Sequence, residues 1–177
     1  MSKILISGCG ITFSGERATW SKVLRIAGYD ITDVSGPAIS NQLITNQLLE
    51  KIYQQHFDHV ICQLTSLGKL DVELNDNNLF LKDNDSLRNF THKGYWPSSH
   101  STEHKIKKDY YDFLYSPKLE QQDLIFKLLL LQEKCKQVDT KLHIIQGYHI
   151  EWHNILTDRL NFDKSFNISD MYKNSEF

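Results

Sequence analysis

Ile4-Leu5-Ile6 is a short apolar run closed off by Gly8 and Gly10. Continuous apolar runs of this length fit a strand buried on both faces better than one alternating between core and water. It predicts the first strand. From Glu16 to Ala27, Trp20, Val23, Leu24 and Ala27 recur at three- and four-residue intervals and Gly28 follows as a stop, which predicts an amphipathic helix. "YDITDVSG" predicts a second strand ending at Gly36. Leu43, Ile44, Leu48, Leu49 and Ile52 then recur at helical spacing between Ser40 and Tyr53, and "HVICQL", Val60 to Leu64, predicts a third strand. From Asp71 to about Thr102 no period persists; the segment is rich in Asn, Asp and Ser, with Phe80, Phe90, Tyr95 and Trp96 interspersed. A stretch this long reads either as a functional lid or interface or as a surface loop. Helix returns from about Lys105 through "DYYDFLY" and again over "KLEQQDLIFKLLLLQEKCKQ", whose "LIFKLLLLQ" reads as core of a buried crossover helix. "KLHIIQ" predicts the fourth strand, "HIEWHNILTDRL" a last helix, and the tail "NFDKSFNISDMYKNSEF" is polar and weakly patterned.

Strands alternating with helices through short connections imply right-handed crossovers and a mostly parallel sheet covered on both faces. The expected fold is a single α/β domain over 1–177: a three-layer α/β/α arrangement, its short parallel sheet in flavodoxin-like order, with a long insertion after the third strand at about 71–104. In such sheets a ligand lies beyond the carboxyl ends of the strands.

Composition narrows the function. The 177 residues suit one core rather than two. A formal charge of -2 offers no general basic field, so nucleic acid is not an expected partner. Three cysteines, Cys9, Cys62 and Cys135, match no zinc or redox spacing and make no disulfide framework. No stretch approaches the ~18 apolar residues of a membrane span, and the opening apolar run is too short for a signal peptide. The expectation is a soluble, cytoplasmic protein without a membrane partner, acting on a small-molecule ligand; a homo-oligomer stays open.

The loop after the first strand, "ISGCGITFSG", carries the candidate chemistry. A dinucleotide fingerprint needs Gly-x-Gly-x-x-Gly, but after Gly8 and Gly10 the third position is Phe13, with Gly15 two residues late; no Gly-Lys-Ser/Thr occurs either. Two glycines ahead of a helix still leave backbone N–H groups able to cradle a phosphate or carboxylate. No cofactor is expected.

The order apolar strand, Gly-x-x-Ile-Thr, glycine and a tryptophan opening a helix resembles the first block of the SGNH/GDSL hydrolases, Gly-Asp-Ser-x-(Thr/Ser). "VSGPAISNQLI" looks like the second block and "FDHVICQLTSLGKLD" like the strand entering the third; the similarity covers about Lys3 to Asp71 and is greatest to divergent members from bacteriophage genomes. The resemblance implies an esterase-type hydrolase acting on an ester or acyl-sugar, with Gly36 as a backbone donor to an oxyanion and Lys69 as the basic residue after the third strand. It also implies a ligand site drawn from Ser7, Gly8, Thr12, Ser14, Asn41, Thr65, Ser66 and Lys69. The departures from the family are substantial. Gly10 stands where the nucleophilic serine belongs, and Thr65-Ser66-Leu67-Gly68 replaces Gly-x-Asn-Asp. "YHIEWHN" replaces the final Asp-x-x-His. A serine hydrolase needs nucleophile, base and orienting acid in contact, so a catalytically inactive sugar-, nucleotide- or protein-binding module is the alternative. A nucleotide-dependent transferase using the glycine loop is a third.

Were chemistry retained, Cys9 would be the substitute nucleophile, since a thiol at a helix N-terminus can have a lowered pKa; the competing reading is a small buried filler. Gly10 and Gly36 would supply oxyanion donors, and His153 or His149 the base. Ser7, Thr12 and Ser14 read equally well as loop hydroxyls that cap the next helix. The pairs His100/His104 and His149/His153 have the i,i+4 spacing of zinc ligands but lack the helix-borne glutamate of His-Glu-x-x-His, and no metal is assigned. "HKGYWPSSHSTEHKIKKDYY" reads as a solvated charged helix start more readily than as a binding surface.

Overall fold

The computed structural model of this chain describes residues 1–9, 19–36, 39–73, 92–95, 110–147, 160 and 162–167. Its main sheet has five strands, β1 (Lys3–Ser7), β2 (Asp30–Asp33), β3 (His59–Leu64), β6 (Lys141–Gln146) and β7 (Phe162–Asn167), in the order β2-β1-β3-β6-β7. Every pairing is parallel: Leu5 lies beside Thr32 on one side and Val60 on the other, and Val60 beside Leu142. This is the flavodoxin-like order, an α/β fold as the alternation of elements implied.

β4 (Leu70–Glu73) and β5 (His92–Tyr95) pair antiparallel, Leu70 opposite Tyr95 and Glu73 opposite His92, as a separate two-stranded sheet. The excursion after the third strand therefore contains a ribbon that its composition did not signal. β7 is a second such case. "FDKSFN" has too little apolar content to mark a buried strand, but an edge strand needs little, and polar edges guard against pairing with other chains.

Among the described residues three α-helices accompany the sheet: α1 (Trp20–Ile26), α2 (Asn41–Gln54) and α3 (Pro117–Gln137). α2 begins where Ser40 Oγ accepts from the N–H groups of Gln42 and Leu43, at 3.1 and 3.2 Å. α3 begins at Pro117, whose ring holds the preceding Ser116 extended. Of the helix expected from about Lys105 through "DYYDFLY", the described residues show a π turn, Tyr110–Leu114, and Lys105 to Asp109 lie outside the described residues. α1 ends in a Schellman motif: the Tyr29 N–H donates to the Leu24 carbonyl at 3.2 Å and the Gly28 N–H to Arg25 at 3.0 Å, with Gly28 at φ +91°.

The core lies between the sheet and the helix pair α2 and α3. Leu5, Val60, Cys62, Leu64 and Ile144 meet Ile44, Leu48 and Ile52 from α2 and Leu124, Ile125, Leu128 and Leu131 from α3. Each such aliphatic side chain contributes roughly 1.5–3 kcal/mol on burial. Ile4 and Ile6 are buried as well, so β1 is covered on both faces as its apolar run predicted. α1 departs from expectation in phase: Val23, assigned to its inner face, is 59% exposed, and Ser21 is the buried residue. Among the described residues no helix is long and apolar enough to cross a membrane.

Candidate functional site

Strand order fixes where a ligand can sit. The chain leaves β1 for β2 on one side and later returns to β3 on the other, so the strand order reverses between β1 and β3, and sheets of this order take a ligand beyond the carboxyl ends of the two strands at that point. Gly8 and Cys9 follow β1; Thr65 and Ser66 follow β3.

The β1 side of this edge is tightly committed. Ser7, fully buried at the end of β1, donates its hydroxyl to Gln47 Oε1 at 3.2 Å, tying the strand to α2. The Gly36 N–H donates to the Gly8 carbonyl at 3.1 Å and the Val34 N–H to the Ile6 carbonyl at 2.9 Å, so hydrogen bonding between the first two strand segments continues past their ends. The amide expected to face an oxyanion at Gly36 is thus paired with backbone. A Cβ at Gly36 would stand 3.0 Å from Ile39 Cγ2, so glycine also admits close packing there. Cys9 is 1% exposed and belongs to the same apolar cluster as Leu5, Ile39 and Leu64. That is the setting of the buried filler.

The β3 side is built differently. Asn41, the first residue of α2 and itself buried, donates Nδ2–H to the Thr65 carbonyl at 3.0 Å and accepts the Thr65 N–H on Oδ1 at 2.7 Å. A side-chain amide presents a donor and an acceptor edge to edge, which matches one residue of extended backbone. Asn41 thereby fixes the chain as it leaves β3, and its role in the structure is positional. Thr65 is fully buried, yet among the described residues its Oγ1 has no hydrogen-bond partner; Ser66 Oγ, the next hydroxyl, and Ser35 Oγ, just past β2, are buried without partners among these residues too. Unpaired buried hydroxyls are uncommon, and each one calls for a reason. The Gly68 N–H donates to Glu120 Oε2 at 2.7 Å, joining this loop to the first turn of α3, and Lys69 is buried beside it.

Two residues absent from the sequence-based set complete the rim. Gln63 is fully buried on β3 and accepts from Trp20 Nε1 at 3.0 Å, which anchors α1 to the sheet. Gly147 ends β6, donating to the Leu64 carbonyl at 2.9 Å; a Cβ there would lie 2.6 Å from Gln63 Nε2 and 2.8 Å from that carbonyl. A glutamine inside an otherwise apolar strand was the available signal for the first, and a glycine immediately after a strand for the second.

Ser7, Gly8, Cys9, Gly36, Asn41, Thr65, Ser66 and Lys69 all lie at the carboxyl edge of β1, β2 and β3 or at the start of α2. Gly10, Thr12, Ser14, His149 and His153 lie outside the described residues, as do His100 and His104. Among the described residues no group of three or more His, Cys, Asp or Glu side chains could hold a metal ion. What the described edge holds is the buried hydroxyls of Ser35, Thr65 and Ser66, with the Thr65 backbone fixed by Asn41.

No protein-family model and no curated protein matches this chain. Among solved structures it is similar to one titled "Crystal Structure of TesA", at 11% identity and a TM-score of 0.45; the match covers 84% of this chain and 61% of that one. The strand order, rather than this distant likeness, identifies the fold class.

Proposed function

We propose that this protein is an SGNH-hydrolase-like module that takes up an ester or acyl-sugar in the crevice between the ends of β1 and β3, as a divergent, bacteriophage-type member of that superfamily working in the cytoplasm. Thr65 carries the reading. Its backbone is clamped by Asn41 while its buried hydroxyl has no partner among the described residues. Leaving such a group unpaired costs about 1–3 kcal/mol, and a ligand oxygen arriving at this edge would recover that. Ser66 supplies a second hydroxyl beside it. Carbonyl and sugar hydroxyl oxygens are the neutral groups such a pair can engage, both accepting and donating.

A reading without turnover is favoured by the β1 side. Cys9 is sealed in the apolar cluster, and the Gly36 N–H is already bonded to Gly8. Binding of a sugar or nucleotide needs neither group.

The test is an aryl-ester panel together with thermal-shift titrations of acetylated sugars and nucleotides, on the wild type, Thr65→Val and Cys9→Ala. Thr65→Val keeps the shape and removes only the unpartnered hydroxyl, so the free protein should be no less stable than the wild type. Turnover or a ligand-induced shift that is lost in Thr65→Val and kept in Cys9→Ala supports the crevice. Absence of both responses in the wild type, or their persistence in Thr65→Val, overturns it.

A further inference from the structure

α3 has two apolar sides. One is the core side, with Leu124, Ile125, Leu128, Leu131 and Cys135 buried. On the other, Leu119, Phe126 and Leu130 are 65%, 64% and 56% exposed. At 3.6 residues per turn these three share an arc of roughly 40°, on the side of the helix away from Leu128. A helix with solvent on its outer side carries polar residues there, and each large apolar side chain left in water forgoes roughly 1.5–3 kcal/mol. Tyr53 on neighbouring α2, also exposed, extends the apolar surface, with the Lys134 ammonium 4.1 Å from its ring centre.

We propose that this stripe is the interface of a two-fold symmetric homodimer in which α3 packs antiparallel against α3 of a second copy. The pattern is self-complementary. A two-fold axis level with Leu128 sets Phe126 of each copy against Leu130 of the other, because 126 and 130 lie equally far from 128. The same register brings Asp123 of each copy, which bridges Lys127 of its own helix at 3.3 Å, to within one residue of the level of Lys134 of the other, on the same flank of the stripe. Asp123 lies toward the amino end of the stripe and Lys134 toward its carboxyl end, so antiparallel packing matches unlike charges twice, and the helix dipoles also oppose. An unrelated partner would require no such match about a two-fold axis. With only a few anchor residues per copy, the interface belongs to the small class that dissociates on dilution.

Sedimentation velocity from about 5 µM to about 1 mM tests this, a range that brackets dissociation constants of weak dimers. A monomer–dimer equilibrium is expected. Phe126→Asp should raise the dissociation constant about tenfold or more while leaving the melting temperature of the dilute protein unchanged, since the side chain makes little use of the monomer core. Asp123→Lys should weaken the dimer, and Asp123→Lys combined with Lys134→Asp should restore it. A monomer across the whole range, or a dimer indifferent to Phe126→Asp, overturns the proposal; failure of the charge swap to rescue overturns the antiparallel register.

Discussion

The side chain of Asn41 holds Thr65 by both of its backbone groups, accepting the N–H at 2.7 Å and donating to the carbonyl at 3.0 Å. The two residues are far apart in sequence, and both are buried. Asn41→Ala would leave an N–H and a carbonyl unpaired inside the protein, at about 1–3 kcal/mol for each. Asn41→Asp would keep the acceptor and set a carboxylate oxygen against the Thr65 carbonyl. Urea denaturation should show a lowered midpoint for both; a midpoint within error of wild type would mean the clamp contributes nothing.

At Gly147 the conflict is steric. A methyl group there would press on the Leu64 carbonyl oxygen at 2.8 Å and the Gln63 amide at 2.6 Å. Backbone cannot yield as a flexible side chain can, so Gly147→Ala should destabilise by about 1–3 kcal/mol, the usual cost of overpacking. Gln63 also receives the Trp20 indole N–H, so the Trp20 indole signal in a 1H–15N NMR spectrum should move. An unmoved signal with unchanged stability would refute the close approach.

Two helix ends make opposite predictions. α3 closes as α1 does: the Thr140 N–H donates to the Cys135 carbonyl at 2.9 Å and the Asp139 N–H to Lys136 at 3.3 Å. The left-handed position is held by Asp139 at φ +53°, where α1 has Gly28. Asp139→Gly should therefore stabilise by about 0.5–1 kcal/mol, and Gly28→Ala should destabilise by about 1 kcal/mol although nothing stands within 4 Å of the new methyl group. Thermal melts of the two variants should move in opposite directions.

His59 and His143 meet on the sheet face turned away from the main core, Nδ1 to Nε2 at 3.1 Å with their rings stacked. Burial pushes the pKa of His59 below its ordinary value, and the neighbouring His143 and Lys141 charges push it further; Asp58 opposes them. In the unfolded chain His59 takes up a proton near pH 6.5, whereas in the folded protein it does so only at lower pH. The unfolded state thus binds more protons in that interval, and stability is full above about pH 6.5 and falls as the pH drops through it. Urea midpoints at pH 7.5, 6.5 and 5.5 should decline, and His143→Phe should flatten the decline by removing a like charge. Asp58, whose pKa lies below its ordinary value through the Lys3 N–H, acts in a separate and more acid window. A flat profile between pH 7.5 and 5.5 would sink this account.

Elements whose pattern reflects burial were legible. The apolar runs of β1 and β3, the helical spacing of α2 and the glycine after α1 each state a local preference that the fold then satisfies. β7 and the β4–β5 ribbon were not legible, because strands outside the main core require little apolar content. The phase of α1 was misread for a related reason. Val23 has the spacing of a core residue, yet Trp20 is tied to Gln63, and that anchor turns Ser21 inward and Val23 out. The "LIFKLLLLQ" segment was half legible, since periodicity names the apolar positions of α3 but not which of its two apolar sides meets the sheet.

By itself the sequence determined a parallel α/β sheet whose first strand is a short apolar run closed by glycine. Those properties reside in the order and chemistry of neighbouring residues. Tertiary structure alone decided that Cys9 is sealed in the core, that the Gly36 amide is spent on Gly8, and that Asn41 grips Thr65 while the buried Thr65 hydroxyl finds no partner among the described residues. Each of these depends on which distant segments the packing of helices on the sheet brings within about 3 Å, the range of a hydrogen bond. Local pattern carries no record of that distance.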